Sequence, residues 1–349
     1  MSRVILSQSL HEDLAIALSA CSHDKIFVLT DTNTHRLCWP LLSAHPGLRN
    51  AHLITIPATD THKNIDTLAQ VWSELGDHGA TRHSCLICLG GGMVTDLGGF
   101  AAATFKRGIN YINIPTTLLA MVDASVGGKT GINFRGLKNE VGAFADSESV
   151  IIHTPFLRTL DSDNLRSGYA EMLKHGLIAD DDTWATLINF DILHPDLTLL
   201  QEMVGQSVAV KERIVAEDPH ENNIRKALNL GHTIGHAFES WALRGEQPIL
   251  HGFAVAYGLV SELYLSSVLT GFPTEKMRAT VNYIHQHYGQ LPITCDDYPT
   301  LFELMTHDKK NRAGIINFTL LGDIGDIRIN QTATTQDIEE ALDFFREGF

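Results

Sequence analysis

Arg225, Asn229, His232 and His236 recur at i, i+4, i+7 and i+11 in the stretch Arg225-Lys-Ala-Leu-Asn-Leu-Gly-His-Thr-Ile-Gly-His236. On an α-helix that spacing puts a cation, an amide and two imidazoles on one polar stripe. Leu230, Ile234 and Phe238 fall on the other side, so the pattern predicts one helix running through Arg225 and His236 with an apolar face to bury. Gly231 and Gly235 stand inside it. A glycine in a helix costs about 1 kcal/mol relative to alanine, so a close approach to that backbone is expected. Two histidines four apart can bind one ion together, or one can ligate while the other carries a proton. Spacing leaves both open.

Three further segments carry groups of the same kind. Leu165 to Ile178 has helical periodicity and places Glu171 and Lys174 on one face at i and i+3. Leu197 to Ala216 reads as a helix that carries Lys211. His251 opens a segment that is apolar nearly all round and therefore expected to be buried. A histidine there needs a partner, either as a satisfied core imidazole or cap or as a ligand. Glu171, His232 and His251 together are two imidazoles and one carboxylate, a common catalytic zinc shell that leaves one position for substrate. They stand on separate helices, and nothing in the spacing alone brings them together.

The first half of the chain supplies a different framework. Lys25 to Thr30, His52 to Ile56, Cys85 to Leu89 and Tyr111 to Ile114 are short apolar strands, and Ile65 to Leu75 has helical periodicity. That alternation predicts a parallel sheet with crossover helices, whose ligands sit beyond the carboxyl ends of the strands. Asp31, Gly90 to Gly92, Thr116 and Thr117 all fall at that edge. Gly90-Gly-Gly-Met-Val-Thr-Asp96 follows a strand and opens a helix, so its amides could cradle a diphosphate. The plainer reading is a tight turn that needs positive φ. Asp123-Ala-Ser-Val-Gly-Gly-Lys-Thr130 resembles the tail of a P-loop, but Asp stands where the first glycine belongs, so ATP is not expected. Cys85 and Cys88 look like half a zinc ribbon without its second half, and an apolar strand makes them core residues. Asp308-Lys-Lys-Asn-Arg312, taken alone, is a solvated basic loop.

Composition bounds the rest. The 349 residues suit two domains, and 44% hydrophobic with 19% charged residues is ordinary for a globular protein. The five cysteines are scattered, no run of 18 consecutive apolar residues occurs, and the first residues lack a signal-peptide core, so a cytoplasmic place is expected. A formal charge of −15 argues against nucleic acid or an anionic membrane as partner.

Several motifs occur in one order: Gly90-Gly-Gly-Met-Val-Thr-Asp96, Pro115-Thr-Thr-Leu-Leu-Ala-Met-Val-Asp-Ala-Ser-Val-Gly-Gly-Lys-Thr130, Lys138-Asn139, Ala170-Glu-Met-Leu-Lys174, Asn229-Leu-Gly-His-Thr-Ile-Gly-His236, Leu250-His-Gly252 and Asp308-Lys-Lys310. Across roughly residues 25 to 320 the chain resembles the 3-dehydroquinate synthase family of sugar-phosphate cyclases. The resemblance implies an α/β, Rossmann-like NAD-binding domain over residues 1–155. It implies an all-α domain for metal and substrate over 156–349, with the site in the cleft between them. It implies a divalent metal, zinc or cobalt, on Glu171, His232 and His251, and makes His236 the acid/base. The reaction implied turns 3-deoxy-D-arabino-heptulosonate 7-phosphate into 3-dehydroquinate and phosphate, with NAD reduced and reoxidised in one turnover.

The same resemblance assigns the remaining groups. Lys211 and Arg225 would hold the substrate carboxylate, and Lys129, Asn139, Asn229 and Lys309 its phosphate. Asp123 and Lys174 would orient hydroxyls. Arg107 would reach the phosphate of a neighbouring subunit, implying a homodimer. NAD would meet Asp31, Asp60, Lys63, Gly91, Gly92, Asp96, Thr116, Thr117, Lys138, Phe156 and Thr159. A protein of net charge −15 must concentrate positive charge locally to hold a doubly anionic sugar, and these lysines and arginines do that. Three positions depart from the family pattern: Asp60 replaces a usual Glu, Phe253 a usual Glu that could support a ligand, and His153 a common Asp. The rival readings are another cyclase such as an epi-valiolone or deoxy-inosose synthase, a metal-dependent polyol dehydrogenase of the glycerol dehydrogenase type, and a non-catalytic binding protein.

Overall fold

The computed structural model describes residues 2–135, 137–245, 247–306 and 316–347. They form two compact units, Met1–Asp161 with Asp196–Val208, and Ser162–Pro195 with Ala209–Phe349. The return of Asp196–Val208 to the first unit carries no composition shift that would mark it in the sequence.

The first unit is built on six strands: β1 (Arg3–Leu6), β2 (Ile26–Asp31), β3 (His52–Ile56), β4 (Cys85–Gly90), β5 (Asn110–Pro115) and β8 (Ser149–Ile152). They pair in the order β1-β8-β5-β4-β2-β3, and every pairing is parallel. The helices are α1 (Leu10–Ala20), α2 (Thr32–Leu37), α3 (Ile65–Asp77) and α4 (Gly92–Thr104). All six residues of β2 and of β4 are buried, which is why they read as continuous apolar runs rather than alternating ones. Cys85 and Cys88 are core residues of β4, as expected from their setting. A two-stranded antiparallel hairpin, β6 (Lys129–Phe134) and β7 (Leu137–Phe144), was not legible from the strand pattern.

Strand order reverses between β2 and β4. From β2 the chain goes to β3 on one side, then returns to β4 on the other. A crevice opens at such a switch point beyond the carboxyl ends of the strands. Asp31 ends β2 and Gly90 ends β4, so both stand at that crevice.

The second unit is mostly helical, with α5 (Ser162–Ala179), α6 (Asp181–Ile188), the later part of α7 (Leu197–Glu217), α8 (His232–Arg244), α9 (His251–Thr270), α10 (Thr274–Tyr288), α11 (Tyr298–Thr306) and α12 (Thr335–Glu347). It also holds an antiparallel ribbon, β9 (Asn317–Asp323) and β10 (Asp326–Thr332), which an all-α reading did not include. By length and composition α9 could cross a membrane, but 72% of its apolar window is buried inside the protein. It is the core helix of this unit, as its all-round apolar character required.

The single helix expected through Arg225 and His236 is broken. A 3-10 turn covers Ile224–Asn229, Leu230 is extended (φ −56°, ψ 131°), Gly231 is left-handed (φ 77°), and α8 starts at His232. The cause is packing against α9. A Cβ on Gly231 would stand 2.8 Å from Leu259 Cγ and 3.0 Å from the Val255 carbonyl, and one on Gly235 would be 2.7 Å from the Ala254 carbonyl. The close approach expected of the two glycines is therefore met, but it also turns the chain at Gly231. Leu230, Ile234 and Phe238 are each fully buried.

Candidate metal centre and cofactor turn

Glu171 is fully buried on α5, and its two carboxylate oxygens have different surroundings. Oε2 pairs with Lys174, one turn along the same helix and also buried. Oε1 is buried and, among the described residues, accepts no hydrogen bond. Two imidazole nitrogens face it, His232 Nε2 at 3.3 Å and His251 Nε2 at 3.5 Å. The three donor atoms lie within 4.8 Å of one another.

The far nitrogen of each ring is already engaged. His232 Nδ1 lies 3.0 Å from the Leu230 carbonyl, to which it donates. His251 Nδ1 lies 3.4 Å from Glu239 Oε2. A proton on Nδ1 in each ring leaves Nε2 as the atom that can bind a cation. An unsatisfied buried carboxylate oxygen facing two such nitrogens fits a divalent ion such as zinc, whose bonds to N and O run about 2.0–2.2 Å.

Electrostatics agree with that use. Burial pushes the Glu171 carboxyl up, but Lys174 and His232 outweigh it and hold it well below the usual carboxylate range. Burial brings His232 down to about 4, so it stays neutral and able to ligate. Burial also pulls on His251, but the Glu171 and Glu239 carboxylates overcome it and raise the ring to about 10. Both carboxylates favour positive charge at this ring, whether a proton or a bound cation supplies it.

Glu239 was missed by sequence reasoning. It lies seven residues after His232, on the same α8 face, and that spacing was the available signal. It supplies a carboxylate behind His251, the kind of support thought lost with Phe253. Phe253 instead packs its ring edge-on against Tyr288 with centroids 5.1 Å apart. Glu262 was missed too. From α9 it accepts from Gly231 N–H at 2.6 Å and from Ile234 N–H at 3.0 Å, capping an α8 whose own N-cap is a glycine.

Most of this unit's other expected residues lie in or beside the 225–236 segment. His236 is half-buried, with its ring 5.3 Å from that of His232. Arg225 is buried, and its guanidinium donates to the Pro219 carbonyl at 2.5 Å. Asp218 fixes the turn before it by accepting from the backbone N–H groups of Asn222, Asn223 and Arg225. Asn229 donates to Glu221 Oε1 at 2.8 Å, another partner the sequence did not suggest. Lys211 is buried on α7. Lys309 lies outside the described residues, as does the basic run around it.

In the first unit, Gly91 caps α4 without a side chain, and Gly92 is the first helical residue. A Cβ on Gly91 would meet Thr117 Cγ2 at 3.0 Å, and one on Gly92 would meet Ala124 Cβ at 3.2 Å. That leaves a turn of bare amides at a helix N-terminus on the switch-point edge, which fits a diphosphate. Asp31 Oδ1 caps α2, accepting from Asn33 and Thr34 N–H. Thr116 N–H donates to the Gly90 carbonyl at 3.0 Å. Lys63, Asp96 and Asn139 are brought together: Lys63 Nζ pairs with Asp96 and donates to Asn139 Oδ1 at 2.6 Å. Asp60 joins them through Asn133. Asp123 sits half-buried in a π-turn, Ala120–Ala124. Phe156 is fully buried, and Thr159 donates to its carbonyl at 2.7 Å. His153 stands edge-on to the Phe156 ring. Lys129 and Lys138 are exposed on the hairpin, and Arg107 is exposed with left-handed backbone (φ 71°).

A second His–Glu–His set, His52, Glu74 and His78, also occurs in this unit. Its imidazoles stack with centroids 3.5 Å apart, whereas two rings bound to one tetrahedral ion stand about 5 Å apart. The His232 and His251 rings are 5.5 Å apart.

Comparison with known proteins identifies the family. The family described as 3-dehydroquinate synthase N-terminal matches residues 53–167, and its C-terminal counterpart matches 168–311. A 3-dehydroquinate synthase of Parabacteroides distasonis is 57% identical over 347 residues, covering 99% of this chain and 98% of that one. A 2-epi-5-epi-valiolone synthase from Streptomyces hygroscopicus with NAD+ and Zn2+ bound superposes with a TM-score of 0.87 at 26% identity, covering 100% and 98% of the two chains. A 2-deoxy-scyllo-inosose synthase complexed with carbaglucose-6-phosphate, NAD+ and Co2+ shares the fold with a TM-score of 0.84 at 22% identity, covering 99% and 96%. With both halves matched and a relative so similar over nearly its whole length, the chain belongs to the 3-dehydroquinate synthase family.

Proposed function

We propose that the chain is the enzyme that forms 3-dehydroquinate and phosphate from 3-deoxy-D-arabino-heptulosonate 7-phosphate in the shikimate pathway. It does so with NAD and a divalent metal, zinc or cobalt. The observation that carries this reading is Glu171 Oε1, a buried carboxylate oxygen with no hydrogen bond among the described residues, faced by two imidazole Nε2 atoms. When bound, NAD supplies a hydride acceptor and donor, and the cation supplies Lewis acidity toward substrate oxygens.

The chain's own residues do the holding and the proton movement. Glu171, His232 and His251 hold the cation, and Lys174 keeps Glu171 ionised. His236, half-exposed beside His232, carries a proton to or from the substrate. Lys211 and Arg225 bind the carboxylate, which as buried cations they do strongly. Lys129, Asn139, Asn229 and Lys309 bind the phosphate, and Asp123 orients a hydroxyl. The amides of Gly91 and Gly92 take the cofactor diphosphate, with Asp31, Asp60, Lys63, Asp96, Thr116, Thr117, Lys138, Phe156 and Thr159 around it. The first unit thus serves the nucleotide and the second the metal, and the domain division of the sequence is retained in that sense.

A homodimer is part of the proposal. Arg107 is displayed on an exposed turn, and the hairpin leaves Phe134, Leu137, Val141 and Phe144 exposed. The five cysteines are all free, which suits a reducing cytoplasm.

The decisive assay is phosphate release from the heptulosonate phosphate with NAD below the enzyme concentration. Turnover should exceed the NAD supplied, stop with a chelator and return with zinc or cobalt. Stoichiometric consumption of NAD would point instead to a dehydrogenase.

A further inference from the structure

We propose that Asn133 is a positioning residue that couples occupancy of the cofactor site to the phosphate-binding hairpin. The inference rests on the functional reading above, in which Asp60, Lys63 and Asp96 meet NAD and Asn139 meets phosphate. Asn133 itself carries no assigned role.

Asn133 sits near the end of β6 and is half-buried. Four contacts radiate from it. Its backbone N–H donates to the Lys63 carbonyl at 2.7 Å. Its Nδ2 donates to the Asp60 carbonyl at 3.2 Å and to Asp60 Oδ2 at 3.1 Å. Its Oδ1 accepts from Asn139 N–H at 2.9 Å. The orientation of the amide follows from its neighbours, since a backbone N–H needs an acceptor and a carboxylate needs a donor. Only an asparagine satisfies both at this length. An aspartate would face Asp60 with like charge, and a leucine would offer neither group.

Asn139 is held at two points. Its backbone has φ 50°, in the left-handed region, and its N–H is the one fixed by Asn133. Its Oδ1 accepts from Lys63 Nζ at 2.6 Å. With the oxygen end turned to Lys63, the amide presents its NH2 end as donor, which is the end an anionic phosphate requires. Lys63 is also the partner of Asp96. A ligand that engages Asp60, Lys63 or Asp96 therefore acts on groups that set the direction of Asn139. Asn133 ties the loop of Asp60 and Lys63 to the hairpin, so the two sites share one hydrogen-bonded element. Two ligands that both favour one arrangement of that element bind with reciprocal coupling.

The test uses the full-length enzyme, with inorganic phosphate as the anion probe. NAD affinity is measured by titration calorimetry with and without saturating phosphate, which gives a coupling factor. The wild type should show NAD binding tightened at least about fivefold by phosphate. Asn133→Asp should bring that factor to within about twofold of unity. A merely structural loss would appear as a lowered melting temperature with the coupling intact. Retained coupling in Asn133→Asp overturns the proposal. Asn139→Ala separates the two layers. Unchanged phosphate affinity in that variant would overturn the assignment of Asn139 and the coupling with it, whereas weakened phosphate binding alongside intact coupling in Asn133→Asp would overturn the coupling alone.

Discussion

Glu262 Oε2, carried on α9, accepts a hydrogen bond from the Gly231 N–H at 2.6 Å and so closes the start of α8 from a neighbouring helix. The first N–H groups of a helix have no partner inside it, and a carboxylate there also meets the positive end of the helix dipole. Glu262→Ala removes both acceptors from a buried helix end. The expected loss is about 2–4 kcal/mol, since a lost cap and an unsatisfied buried donor each cost about 1–2 kcal/mol. Denaturant unfolding of the purified protein checks it. A change below about 0.5 kcal/mol would mean that the cap is dispensable.

Glu239 stands behind His251, on the Nδ1 side of the ring. Partners of this kind, when replaced, typically cost 10–100-fold in metal affinity. Glu239→Gln should lower zinc affinity within that range while the protein stays folded. His251→Ala should go further and leave the purified enzyme without metal and without turnover. Competition with a chromophoric chelator measures the first, and metal analysis the second. Full metal content in His251→Ala would remove it from the ligand set.

Lys174 neutralises a carboxylate with no access to water. Removing one partner of a buried ion pair is costly, about 3–5 kcal/mol, because the other charge is stranded. Lys174→Met should therefore destabilise the metal-free protein by about that much, and the metal-loaded protein by less, because the cation faces the same carboxylate. Thermal melts with and without zinc separate the two. Equal losses in both states would mean that the ion does not sit at Glu171.

Arg225 is buried with its backbone fixed by Asp218, so its charge is delivered to one place. Arg225→Ala should raise KM for the heptulosonate phosphate by about 10–100-fold, the scale of a charge-assisted pair worth 1.5–3 kcal/mol. Steady-state kinetics checks this. Unchanged KM and kcat would place the carboxylate elsewhere.

The parts of this molecule that sequence pattern revealed are those governed by local rules. The buried parallel strands announced themselves as apolar runs, and α9 as a helix without a polar face. Glu171 and Lys174 share a face because both belong to one unbroken helix. The break at Gly231 was hidden because it depends on Val255 and Leu259 of α9, which no helical wheel of this segment contains. Glu239 and Glu262 were overlooked for the same reason: each matters through a residue on another helix. The β6–β7 hairpin escaped because its mostly exposed second strand lacks alternation, and Asn133 draws its meaning from Asp60 and Asn139, far apart in the chain.

Where α8 crosses α9, the nearest neighbours of Gly235 are main-chain atoms of Ala254 and Val255, while Gly231 faces the Leu259 side chain as well as the Val255 carbonyl. At Gly235, rotamer choice therefore has little say in how closely the two helices approach. A cation cage between these helices would be moulded in good part by polypeptide, and less by adjustable side chains. It should keep its dimensions through most surface variation on these helices, and should admit ions of similar radius without being rebuilt for each.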